Sequence, residues 1–315
     1  MPVDRLTLPA GQLAECVEAV LAGIALEQSA TDDLDITDAV ETYRHAGRAA
    51  LQRQHDHTWF QARVTPADWA AAEATFAEYV APRLDHLDAG RAAWWYLRKH
   101  PDWRLRVHTS SHDAVAALLD DLVTAGTITR WRPSIYEPET AAFGGPTALA
   151  IVHDLFCADS RGVLTYTRQP NPQLGRRELS LLLITALQQH AGLDWFESGD
   201  VFDRVTQLRP APAGADAERV AALALTMRPL LAVAVTADTP LFTPNGPVGY
   251  AGPWLAAFIH AGQHLAEAAV ANHLDRGLRA TIAHIVIFHW NRLGLTAPAQ
   301  GILAHAAKAA ILPRS

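Results

Sequence analysis

Two short runs concentrate the polar chemistry of this chain. Residues 103–108 read Trp-Arg-Leu-Arg-Val-His, and residues 129–136 read Thr-Arg-Trp-Arg-Pro-Ser-Ile-Tyr. Alternate side chains of a strand share a face. Arg104, Arg106 and His108 therefore line one side of the first run, with Leu105 and Val107 on the other. By the same rule Arg130, Arg132, Ser134 and Tyr136 share a face opposite Thr129, Trp131 and Ile135. Two strands of one sheet would then present four arginines on the same side. The plain reading is a solvated face of an antiparallel sheet; the chemical reading is a site for an anion or a peptide carboxylate. Pro133 donates no ladder hydrogen bond, which puts its strand at an edge or a bulge.

Other polar residues have weaker patterns. His260 and His264 stand one helical turn apart and can chelate a metal, but a third ligand and the Glu of a zinc-hydrolase motif are missing. Asp159-Ser160 follows an apolar run, where capping the next segment is the common role. His153 and Asp154 lie within that run and need partners if buried. Tyr250 sits in a Gly/Pro-rich loop, 239–253. His289 and Arg292 near a helix end can interact with the last carbonyls. Cys16 and Cys157 match no metal spacing and suit a reducing compartment. His55-Asp56-His57 reads as a loop. The chain contains no GxGxxG, P-loop, GxSxG or HExxH motif.

The elements that must carry these residues follow from periodicity. Residues 10–30 and 37–55 read as helices joined by an acidic linker, 31–35, with Thr37 as a cap. Residues 57–64 read as a strand. Thr65-Pro66-Ala67-Asp68 reads as the start of a helix running to about Leu87. Residues 93–98 and 103–108 form a hairpin around His100-Pro101-Asp102. Ser111 caps a helix whose apolar stripe is Val115, Leu118, Leu119, Leu122 and Val123, ended by Gly126. A strand over 128–136 completes a β-α-β-β-α-β order, the split-βαβ or ferredoxin-like arrangement, with helices on one face and the other free. Gly144-Gly145-Pro146 turns into a buried helix over 147–157. Helices follow at 177–190, 199–208, 217–236, 252–274, 276–292 and 298–311. The fold class is α+β, a split-βαβ sheet with a helical C-terminal half, preceded by a helical extension over 1–56; residues 57–315 form the main domain.

The 315 residues are half hydrophobic, ample for a packed core, and the formal net charge of -7 gives no global nucleic-acid footprint. The N-terminus shows no signal peptide, and the most apolar window contains Arg228 and Pro229, so no membrane span is expected.

Several separated segments, in order, carry a resemblance: WWYLRKHPDWRLRVH, YEPETAAFGG, LFCADS and HWNRL, spanning about 57–293. They resemble the C-terminal elimination domain of lantibiotic dehydratases and its stand-alone relatives in thiopeptide biosynthesis. The resemblance implies a mixed α/β fold and one of two activities. Eliminating members remove glutamate from glutamylated Ser or Thr to leave a dehydroamino acid. Pyridine synthases join two dehydroalanines of a leader-bearing, azole-containing precursor by a formal aza-[4+2] cycloaddition, then lose water and leader. The eliminating pattern is Glu-x-x-Arg-Tyr-Gly-Gly. Here it reads Glu139-Thr140-Ala141-Ala142-Phe143-Gly144-Gly145, with Ala142 for the Arg and Phe143 for the Tyr. Arg104 and Arg106 match the family's paired arginines, while Trp103 stands where a His is usual.

These departures favour the cyclase. That reaction needs proximity and proton transfer rather than a nucleophile, metal or redox cofactor. Tyr250, His289, Asp159 and Ser160 are the expected catalytic residues, Tyr250 foremost because a phenol both donates and accepts. Arg104, Arg106, Arg130, Arg132, Tyr136 and Arg292 are expected to bind substrate or an acidic leader. The alternatives are a stand-alone glutamate-eliminating subunit and a non-catalytic precursor-binding paralogue; tRNA-dependent aminoacylation is disfavoured by charge and length. Expected partners are the modified precursor and other biosynthetic enzymes, with no nucleic acid or membrane, in the cytoplasm. Ala-rich helices that can pack on a second copy leave a homodimer open.

Overall fold

A computed structural model describes residues 10–24, 36–44, 46–47 and 59–312. The chain divides into two compact units, Met1–His57 and Thr58–Ser315. In the first, helix α1 (Ala10–Leu21) and the helical residues 36–44 share a small core of Val17, Ile36 and Val40. Tyr43 donates its hydroxyl to Glu18 at 2.8 Å. The acidic linker 31–35, His55-Asp56-His57 and the far ends of both expected helices lie outside the described residues.

The second unit is built on four strands: β1 (Trp59–Pro66), β2 (Ala93–Lys99), β3 (Asp102–His108) and β4 (Ile128–Ser134). They form an antiparallel sheet in the order β2-β3-β1-β4. Helix α2 connects β1 to β2 as three continuous segments, Ala72–Thr75, Phe76–Val80 (a π turn) and Ala81–Asp85. Helix α3 (His112–Thr124) connects β3 to β4, and its cap Ser111 accepts from the Ala114 N–H. This is the expected split-βαβ topology. The helix start expected at Thr65-Pro66 is not there. Thr65 and Pro66 still pair with β4, opposite Arg130 and Ile128, and the helix begins at Ala72. Strand pairing outweighs a local cap signal because it satisfies backbone groups on both strands. The strand expected to reach 136 ends at Ser134, leaving Ile135 82% exposed.

One sheet face, with Ala62, Val64, Tyr96, Trp103 and Leu105, packs on Phe76, Val80, Leu84, Val115 and Leu119 of α2 and α3. The other face was expected to be free, and it is not. Trp59, Trp95 and Leu97 are buried in the same core as Phe156 and Phe288 of the C-terminal helices. Two indoles bury too much apolar area to face water. Only the far rim of that face stays open.

Seven helices follow: α4 (Pro146–Thr167), α5 (Arg176–His190), α6 (Trp195–Leu208), α7 (Ala217–Ala232), α8 (Gly252–Val270), α9 (Leu278–Arg292) and α10 (Ala297–Ile311). α6 starts at Trp195, ahead of the expected 199, because Asp194 and Glu197 form a reciprocal capping box. α4 runs on to Thr167, well past 157. Asp159 and Ser160 therefore lie mid-helix and do not cap a following segment. Glu73, with its side chain 13% exposed, clamps the halves together: it accepts from Arg98 of β2 and Arg176 of α5, each at 2.9 Å. Among the described residues no helix is long and apolar enough to cross a membrane.

Candidate functional site

The sheet register sets three arginines side by side. Arg63 of β1 is the direct partner of Arg104 on β3 and of Arg132 on β4. Direct partners point to one face, and like charges opposite each other are unfavourable. Arg130, opposite Thr65, extends the row on the same face. Arg130 and Arg132 are exposed, and Arg63 and Arg104 are half-buried. The nearest acid on the sheet is Asp102, which accepts from Thr65 at 2.7 Å and stands 3.7 Å from Arg132. Lys99 adds another cation; burial and then the Arg104 charge hold its ammonium below the ordinary lysine value. The Glu139 carboxylate stabilises the charged forms of Lys99, Arg106 and His284 alike. The rim is a surface with an excess of cations.

Behind the rim the face turns inward. Arg106 is 5% exposed. Its Nε donates to Gln61 Oε1 at 2.8 Å, and its guanidinium lies 4.1 Å from the Trp95 ring centre and 5.1 Å from that of Tyr136. Burial lowers its pKa to about 10, so it stays charged at neutral pH. The Tyr136 hydroxyl lies 2.6 Å from His153 Nε2. Trp59 packs on both rings, with centroids 6.0 Å from Tyr136 and 4.8 Å from His153. A phenol–imidazole pair at this distance can pass a proton either way.

Asp159, His289 and Arg292 come together, and all three side chains have 0% exposure. Asp159 Oδ1 accepts from Trp254 Nε1 at 2.9 Å and from His289 Nδ1 at 2.8 Å; Oδ2 accepts from Arg292 Nε at 2.5 Å. Burial alone would raise the Asp159 pKa, but the charges and hydrogen bonds of His289 and Arg292 bring it below the ordinary value. His289 Nε2 faces Ser180 Oγ at 2.9 Å, and that oxygen also accepts from Trp290. The Arg292 guanidinium lies 4.0 Å from the Phe156 ring centre, a cation–π contact in place of water. Ser160 donates to the Phe156 carbonyl at 2.8 Å and accepts from the Tyr96 N–H at 3.2 Å, fastening α4 to β2. Gly162 makes room for the Trp254 indole: a Cβ there would lie 2.3 Å from the ring. Gly162→Ala is expected to push Trp254 off Asp159 and lower stability by about 1–3 kcal/mol, read as a shift in the urea midpoint.

Tyr250 is not part of this cluster. It packs 6.4 Å from Tyr166, two helical turns or about 10 Å along α4 from Asp159. Its hydroxyl oxygen is buried and has no hydrogen-bond partner among the described residues, and burial raises its pKa, so the phenol keeps its proton. The Glu139–Gly145 segment folds against the start of α9. Gly144 and Gly145 have φ of 89° and 97°, and a Cβ on Gly145 would lie 2.4 Å from Asp275 Oδ2. Phe143 is 2% exposed, edge-on to Phe156 and Phe288. The Ala142 carbonyl accepts from Arg276 Nη1 at 2.7 Å, and the same nitrogen lies 3.2 Å from His284 Nδ1. Burial and then Arg276 lower the His284 pKa, leaving that imidazole neutral near pH 7.

Sequence reasoning missed Arg63, Arg276 and the Tyr136–His153 pair. Arg63 had a usable signal, since Trp59, Gln61 and Arg63 alternate. Arg276 had none, lying far along the chain from Ala142. Cys157 is buried and its thiol is pushed up to about 12, so it is inert.

The sequence pattern of the lantibiotic biosynthesis dehydratase C-terminal family matches residues 59–311, nearly all of the second unit. The chain belongs to this family. Two solved structures share the fold of this lantibiotic dehydratase C-terminal domain. One is MibB, the tRNA-dependent lantibiotic dehydratase from Microbispora sp. 107891, with a TM-score of 0.57 and 16% identity over 79% of this chain and 27% of MibB. The other is TsrL, with a TM-score of 0.53 and 16% identity over 82% of this chain and 100% of TsrL. At such identities the likeness is one of fold. The chain spans about a quarter of MibB, 27% of its length. No curated protein matches it.

Proposed function

We propose that this chain is a thiopeptide pyridine synthase. It would join two dehydroalanines of a leader-bearing, azole-containing precursor by a formal aza-[4+2] cycloaddition, then release water and the leader. The observation that carries this reading is the Glu139–Gly145 segment. Where eliminating relatives have Arg-Tyr, this chain has Ala142, whose carbonyl is held by Arg276, and Phe143, sealed in the aromatic core. A departing glutamate finds no guanidinium from this segment and no tyrosyl hydroxyl.

The roles follow from access. The rim arginines Arg63, Arg104, Arg130 and Arg132 bind an acidic leader or substrate segment, and Arg106 orders the Trp95 and Tyr136 rings beneath it. One dehydroalanine amide must become an iminol, moving a proton from its nitrogen to the carbonyl oxygen. Tyr136, backed by His153, gives a proton to that oxygen and recovers one from the nitrogen, so the pair ends as it began; Tyr250, whose hydroxyl is buried, does not meet the substrate. Asp159, His289, Arg292 and Ser160 are positioning residues. They lock α4, α8, α9 and β2 so that the two substrate ends meet in one geometry.

Rim binding has a signature. Arg104→Ala and Arg132→Ala should each weaken precursor binding about 5- to 30-fold, or 1–2 kcal/mol, and flatten its dependence on salt. Fluorescence anisotropy of a labelled leader reads both.

A second reading has its own observation. Arg276 brings a guanidinium to the Ala142 carbonyl and would serve a glutamate-eliminating enzyme in place of the missing arginine. Parallel incubation with a bis-dehydroalanine precursor and with a glutamylated Ser peptide, read by mass spectrometry, separates the two. Cyclisation of the first alone supports the synthase; glutamate loss from the second alone makes the chain an eliminase. Binding with no change in either peptide would make it a precursor-holding scaffold.

A further inference from the structure

We propose that His260 and His264 form a two-histidine site for a divalent transition metal, Cu²⁺ above Zn²⁺, on the exposed face of α8. The two residues are one turn apart, so their side chains share a face. Their Nε2 atoms stand 2.8 Å apart, with ring planes at 86° and centroids 4.1 Å apart. This contact is a ring N–H···N hydrogen bond, which an ion held by both nitrogens would replace with loss of the shared proton. Metal–imidazole bonds of about 2.0–2.1 Å place two ligand nitrogens about 2.9 Å apart at a right angle, and about 3.4 Å apart at the tetrahedral angle. The observed separation is that of the hydrogen bond, and a small turn of the rings reaches either value; the general order of divalent affinities favours Cu²⁺.

The supporting partner is present. Glu267 Oε2 lies 3.0 Å from His264 Nδ1. A carboxylate there holds the Nδ1–H tautomer and leaves Nε2 as the ligand, the usual arrangement around metal-bound histidines. Among the described residues no group of three His, Cys, Asp or Glu is gathered for a metal, so the remaining coordination positions belong to solvent or to a bound molecule. They adjoin a groove of about 290 Å³ between α4 and α8, lined by Ile151, Asp154, Leu155 and Ala257 among others. A small ligand with a nitrogen, oxygen or sulfur donor can complete the sphere from that groove.

The test uses the full chain without an affinity tag, titrated with Cu²⁺ and followed by calorimetry and electron paramagnetic resonance. One equivalent should bind with the hyperfine pattern of two equatorial imidazoles. His260→Ala and His264→Ala should each weaken that first equivalent at least tenfold and remove the pattern, and Glu267→Gln should weaken it about tenfold. An unchanged first equivalent in the double histidine variant would overturn the proposal. The unaltered protein gives an independent check. Crystals soaked in Cu²⁺ should show an anomalous peak between the two Nε2 atoms, and full loading with no peak there would overturn it equally.

Discussion

Asp159→Asn is expected to destabilise the protein by about 3–5 kcal/mol, the usual result of removing one member of a buried ion pair. The carboxylate and the Arg292 guanidinium are both wholly buried, and Asp159 also accepts from His289 and Trp254. The amide leaves the Arg292 charge uncompensated in an aromatic setting. Urea unfolding followed by tryptophan fluorescence reads the loss. Asp159→Asn combined with Arg292→Met should recover part of it, because the stranded charge is then gone. The pH dependence has a definite sign. The folded-state pKa of Asp159 is lowered, so its contribution is complete above the unfolded value near 4 and disappears as pH falls through the folded value. The asparagine variant should therefore lose less stability on acidification than the parent. Equal midpoints at pH 7 and equal acid sensitivity would mean that the network does not hold these helices.

Tyr136→Phe is expected to lower kcat by about 10²- to 10⁴-fold, the range for losing a general acid–base, while precursor affinity stays the same. The hydroxyl contacts His153 at 2.6 Å, and the ring rests beside Trp59 and Arg106. Phenylalanine keeps the packing and removes the proton carrier, so the stability cost should be only about 1 kcal/mol. Single-turnover kinetics separate this variant from the rim arginine variants, in which binding falls first. A Tyr136→Phe enzyme with unchanged kcat and weakened binding would make Tyr136 a substrate contact and nothing more.

The sheet and most helices were legible because their signals are local. Ser111 caps α3, and the stripe from Val115 to Val123 fixes its buried face. Alternation in 103–108 placed Arg104 and Arg106 together. The Thr65-Pro66 signal misled because pairing with β4 is a non-local interaction. The free sheet face misled for a related reason: nothing near Trp95 in sequence announces Phe156 or Phe288 as its neighbours. The same limit applied to the site. Asp159, His289 and Arg292 were each picked out as chemical residues, yet their full burial comes from four helices closing around them. Tyr136 and His153 were both noticed, and only the fold shows that they touch.

The most direct measurement is tandem mass spectrometry of the leader fragment after incubating the enzyme with a bis-dehydroalanine, azole-bearing precursor. Aromatisation after the cycloaddition expels the leader with the nitrogen of the first dehydroalanine, so the fragment must end in a carboxamide, alongside a macrocycle lighter by that fragment and one water. A leader that stays attached, or one that ends in a carboxylate as hydrolysis would leave it, would contradict the pyridine synthase account.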